Sequence, residues 1–180
     1  MLKKITLTLI LIVLTLSACQ SPAEEAESMR EGEPFAIYLV ADEQITGSTV
    51  KNYDIDQLPL AELPIIAMAD IDSYDWERHG INLEDEAYFR LVGIFMGGMP
   101  FSGVPFVVTS YQQPVYAGAF WTPYSSLSFD GVAIMQPLDP AGQTIYINLG
   151  YPEEDNFTGE DPRSDPRILQ VLEEAGLIRE

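Results

Sequence analysis

The chain has 180 residues, 28 of them Asp or Glu against 9 Lys or Arg, for a formal net charge of -19 at pH 7. A surface that acidic repels phosphate backbones and anionic headgroups, which excludes nucleic acid and leaves basic, cationic or neutral partners. A single cysteine excludes a disulfide framework and a CxxC metal site, and a single histidine excludes an HExxH zinc motif.

In chain order, Lys3 and Lys4 come first, then an apolar run from Ile5 to Leu16 broken only by Thr6, Thr8 and Thr15. That is the charged start and apolar middle of a signal peptide. The run is shorter than the ~20 residues of a membrane-spanning helix. It ends in Leu16-Ser17-Ala18-Cys19, which resembles the lipobox of bacterial lipoproteins. The resemblance implies cleavage before Cys19, acylation of its thiol, and a mature chain held by lipid outside the cytoplasm, on the cell membrane or an outer membrane. Residues 1–18 would take two lysines and no acid with them, so -19 becomes -21. Lys51 is then the only lysine left, which fits a saline or alkaline medium.

Residues 20–33 read QSPAEEAESMREGE, with too little apolar surface to offset the entropy of ordering. They predict a tether reaching on the order of 20 Å, followed by one domain over residues 34–180. Its predicted class is α+β, a mainly antiparallel or mixed sheet of about five strands with two helices. Apolar runs predict strands at Phe35–Ala41, Ile65–Ala69, Val104–Ser110, Val115–Trp121, Val132–Met135 and Thr144–Leu149, the third and fourth forming a hairpin with Pro114 at its turn or edge. Asn82 with Asp85 predicts a helix start, with Leu83, Ala87, Leu91 and Phe95 on the inner face, widened by Tyr88, Val92 and Ile94, and Gly97-Gly98 as the stop. Asp165, Pro166 and Gly176 frame a second helix with Ile168, Leu169, Leu172 and Ala175 inward. The stretch from Pro64 to Met135, with Tyr124-Ser125-Ser126 near its end, resembles the head of the extracytoplasmic domain of the export-motor subunit SecD. That resemblance implies a shared fold element and no activity.

Four groups of residues are candidates for function. Asp70, Asp72 and Asp75 offer a hard cation such as calcium oxygen ligands, although Tyr74 and Asp75 break the calcium-loop spacing. His79 is the only side chain available to a histidine-based catalyst, with Asp70, Asp72 or Asp75 as its partner, and Asp75, Glu77 and Glu86 are candidate paired carboxylates for glycoside hydrolysis. Tyr116, Phe120, Trp121, Tyr124 and Phe129 make the hairpin and its exit the most aromatic part of the chain. Trp121 and Tyr124, beside Thr122-Pro123, are the pair expected to be exposed for ligand or partner contact. Arg163 and Arg167 place cations at a helix start whose dipole disfavours them by roughly 0.3–1 kcal/mol. They need neighbouring carboxylates, an anionic ligand or a partner's acid. The expected function is a lipid-anchored, non-enzymatic binding or assembly module of the cell envelope, with an envelope hydrolase or a calcium- or solute-binding lipoprotein as alternatives.

Overall fold

The computed structural model describes residues 32–137 and 141–179, so Cys19, the leader and nearly all of the tether lie outside the described residues. Nine strands form one mixed sheet in place of the five or so expected. They are β1 (Ala36–Leu39), β2 (Ile66–Ala67), β3 (Ile71–Asp75), β4 (Gly80–Leu83), β5 (Val104–Ser110), β6 (Gln113–Trp121), β7 (Phe129–Met135), β8 (Thr144–Tyr151) and β9 (Ile178–Arg179). Across the sheet the order is β2-β1-β5-β6-β7-β8-β4-β3-β9. The helices are α1 (Asp85–Phe95) and α2 (Pro166–Glu174).

The long apolar runs become the middle of the sheet, where the runs themselves dictate burial. The β5–β6 hairpin pairs Val104 with Phe120 through Ser110 with Gln113, and a bulge beside Thr109 accommodates Pro114, which has no N–H to give to the ladder. Alternation then sorts the faces. Phe106, Val108, Tyr116 and Phe120 join both helices in the main core, while Val107, Ala119 and Trp121 face the other way. On that second face Ile45, Val50 and Leu58 of the irregular 42–63 segment cover Val107, and Phe129 stacks on Trp121 with ring centroids 4.6 Å apart.

Three local expectations are corrected. No strand is predicted between Ala69 and Asn82, yet β3 and β4 form a hairpin there, because Ile71 and Tyr74 are buried while Asp72 points outward. Asn82 does not start α1; it lies in β4 and donates to Ser73 Oγ (2.9 Å), and the helix begins after Glu84. Ile94 is exposed, so the inner face of α1 is Ala87, Tyr88, Leu91, Val92 and Phe95. The large side chains in that set each contribute about 1.5–3 kcal/mol by burial. At α2, Asp165 caps by accepting from the Arg167 amide (2.9 Å) with Pro166 in the first turn, and Gly176 follows at φ +70°.

β6 and β7 run parallel although only residues 122–128 join them. A parallel pair usually needs a crossover of a dozen residues or more. This short connection, with Ser125 Oγ donating to the Phe101 carbonyl (2.7 Å), ties the exit of β6 to the loop after α1.

Candidate functional site

The end of the sheet where β5 starts and β6 and β7 finish also receives the C-terminal end of α1. A cleft of about 490 Å³ opens there, floored by Val92, Phe95, Met99 and Thr122 and rimmed by Met96, Phe101 and Tyr124. Gln136 closes one side by donating from Nε2 to the Phe95 carbonyl at the helix end (3.0 Å). Among the described residues, none that lines the cleft carries a charge at neutral pH. The rim stands out into solvent, with Met96 81% exposed, Tyr124 73% and Phe101 63%. Phe89, 60% exposed, lies seven residues before Met96 on the same flank of α1, and Leu127, 48% exposed, follows Ser125 in the connection that holds Phe101. Exposed apolar side chains grouped around one hollow, as Met96, Phe101 and Tyr124 are, mark an interaction site more often than scattered single residues do.

The structure separates the two aromatic candidates. Tyr124 is on the rim, but Trp121 is 0% exposed, sandwiched by Phe129 and flanked by Tyr151 at 6.1 Å, so it is a core residue and not a contact. Thr122-Pro123 suggested exposure because they leave the strand. Trp121 still belongs to the strand's second face, which Phe129 and Tyr151 cover.

His79 is buried at the tip of the β3–β4 hairpin with φ +51°, its Nδ1 3.4 Å from the Tyr74 hydroxyl and its ring edge-on to Trp76. Burial, helped by the Arg163 guanidinium and opposed by Asp161 and Asp75, holds its pKa below the usual imidazole value. The three candidate carboxylates are engaged with different partners. Asp70 accepts from the Ala67 amide and pairs with Arg90 at 2.8 Å, Asp72 pairs with Arg179 at 2.7 Å, and Asp75 accepts from the Arg78 amide at 3.0 Å. Among the described residues there is no group of three or more His, Cys, Asp or Glu side chains arranged to hold a metal. Glu86 lies beside Asp70 at one end of β3 while Asp75 and Glu77 lie at the other, about 13 Å away along the strand. Glycosidase carboxyl pairs sit within about 9.5 Å.

Arg163 and Arg167 find their carboxylates two residues upstream. Each guanidinium grips Asp161 or Asp165 through Nε and Nη2 at 2.8–2.9 Å, and Arg163 Nη1 also donates to the Ile147 carbonyl (2.9 Å). These hydrogen bonds hold both carboxyls below their usual pKa and raise that of Arg167. All six cations among the described residues are in ion pairs: Lys51, Arg78, Arg90, Arg163, Arg167 and Arg179. The cations at the start of α2 are thus compensated from within the chain.

One feature of the sequence foreshadows the cleft. Residues 91–129 contain no Asp, Glu, Lys, Arg or His, in a chain whose overall average is 21% charged residues. That stretch supplies the end of α1, the 96–103 loop, the hairpin and the 122–128 connection, hence most of the cleft.

Fold and site together define an α+β protein whose sheet carries two helices on one face and an uncharged, apolar cleft at one end. No family model, curated protein or solved structure matches the chain.

Proposed function

We propose that this chain is a lipid-anchored extracytoplasmic module that docks a protein of the cell envelope through the uncharged cleft. The carrying observation is the cleft itself: large apolar side chains held out into water on a protein whose remaining surface is strongly acidic. Met, Phe and Tyr are enriched at protein interfaces, and Tyr is among the anchors that carry most of the binding energy there. The lipobox-like Leu16-Ser17-Ala18-Cys19 supports the anchor and the compartment. The buried His79 and the separately paired Asp70, Asp72 and Asp75 give the hydrolase and calcium readings no comparable support.

Two measurements on the protein from its own membranes test this. Mass spectrometry of the N-terminal peptide should find Cys19 carrying acyl chains; a free Cys19 inside a longer uncleaved peptide would remove the anchor. A gentle detergent pull-down should retain a stoichiometric protein that is lost with Phe101→Ser/Tyr124→Ser. Retention unchanged by that double substitution would sink the cleft as the docking surface.

A further inference from the structure

The occupant of the cleft can be narrowed further, on the reading that the cleft is a docking surface. We infer that it is a second copy of this chain, meeting the first about a two-fold axis through the uncharged end.

Charge is the first argument. Every cation among the described residues is already paired within the chain, which leaves the acid surplus of a -19 chain on the surface. Two copies approaching by an acidic face oppose like charge with like charge, whereas a basic partner would be drawn to those same faces and away from the cleft. Across the cleft, whose described lining carries no charge, two copies meet without opposing charge.

Shape is the second. An isologous contact needs a patch complementary to itself. Here projections and hollow lie side by side: Phe101, Tyr124 and Met96 stand up around a cleft of about 490 Å³. A two-fold rotation places the projecting side chains of each copy over the hollow of the other.

Area is the third. Taking about 200 Å² for a fully exposed large side chain, Met96, Phe101 and Tyr124 on the rim offer about 430 Å² per copy at their observed exposures, before the floor of the cleft is counted. A standard interface takes about 800 Å² from each partner. The patch is therefore sized for a reversible dimer.

The tether joins the domain at the other end of the sheet. The Tyr111 amide donates to the Pro34 carbonyl (3.3 Å), so the chain from the tether joins the domain at the β5–β6 turn. The cleft is at the opposite end of β5, about 20 Å away at ~3.3 Å per residue.

Sedimentation equilibrium of the full acylated chain in density-matched detergent tests the inference across protein and NaCl concentrations. The expected result is a monomer–dimer equilibrium that tightens as salt screens the remaining repulsion between acidic faces. Phe101→Asp and Tyr124→Asp should each weaken it 100-fold or more with unchanged thermal melting, while Tyr146→Ser on the outer side of β8 leaves it unaltered. A chain that stays monomeric at every concentration overturns the second copy as occupant. If the pull-down then still yields a partner lost with Phe101→Ser/Tyr124→Ser, the docking surface stands with a different protein on it; if it yields none, both readings fail. A dimer indifferent to Phe101→Asp, or one loosened by salt, also overturns the inference.

Discussion

Gly103 turns the chain from the loop carrying Phe101 into β5, and the space around it fixes what a methyl group would do there. Its φ is +73°, where an L-residue costs roughly 1–2 kcal/mol. A Cβ would lie 2.5 Å and 2.7 Å from two ring carbons of Trp121 and 2.9 Å from the Phe120 carbonyl oxygen. Carbon atoms settle at about 3.5–4.0 Å, so the fully buried indole, already stacked on Phe129, would have to shift by about 1 Å. Overpacking of that kind costs about 1–3 kcal/mol, for a total near 3 kcal/mol and a fall in melting temperature of about 6–12 °C. Gly98→Ala is the control, because Gly98 also has positive φ (+102°) but no atom within 4 Å of the new methyl. It should show only the backbone cost. The assay is thermal melting followed in the near-ultraviolet circular dichroism of the tryptophans. If Gly103→Ala is no more destabilising than Gly98→Ala, Trp121 is not pinned against the turn, and the placement of Phe101 on the rim loses its support.

Two further predictions concern the core. The Tyr116 hydroxyl is buried with no hydrogen-bond partner among the described residues, and an unsatisfied buried hydroxyl costs about 1–3 kcal/mol. Tyr116→Phe should therefore be neutral or stabilise by about 1 kcal/mol in urea unfolding, and a loss above 1 kcal/mol would show that the hydroxyl is satisfied. The pH dependence follows from His79. Its folded pKa lies below the ordinary 6.5, so the unfolded chain takes up the proton first; stability present above about pH 6.5 is lost as pH falls toward the folded pKa. Asp161 and Asp165, held below 3.8 by their arginines, add stability present above the ordinary carboxylate pKa and lost as pH falls through their folded values. Melting temperature against pH should therefore drop in two stages, and His79→Asn, a residue that tolerates positive φ, should remove the upper one. A profile identical to the unsubstituted chain would mean that His79 is not the group titrating there.

What the sequence disclosed and what it hid have physical causes. Continuous apolar runs such as Val104–Ser110 announced buried strands because they can be satisfied nowhere else, and the caps around Asp165 and Gly176 bracketed α2. β3 was hidden because its acids obscured Ile71 and Tyr74, the two positions that face the core. β9 is two residues long and pairs in parallel with β3, a contact between distant parts of the chain that local patterning does not encode. The likeness to the SecD head rested on the same apolar patterning, and the comparisons with known structures neither support nor oppose it. At the site, the aromatic character of 116–129 was plain, but which ring faced water depended on Phe129 and Tyr151 folding over Trp121. The uncharged run 91–129 was open to inspection throughout, and counting charges over a sliding window would have marked it.

The most direct test of docking through the uncharged end is photocrosslinking in intact membranes, with benzoylphenylalanine placed at Phe101, at Tyr124 and, for comparison, at the exposed Tyr146 on β8. The account predicts one discrete adduct from positions 101 and 124, at twice the mass of the chain, and none from 146. Adducts to lipid alone, a spread of products, or equal yields from all three positions would contradict it.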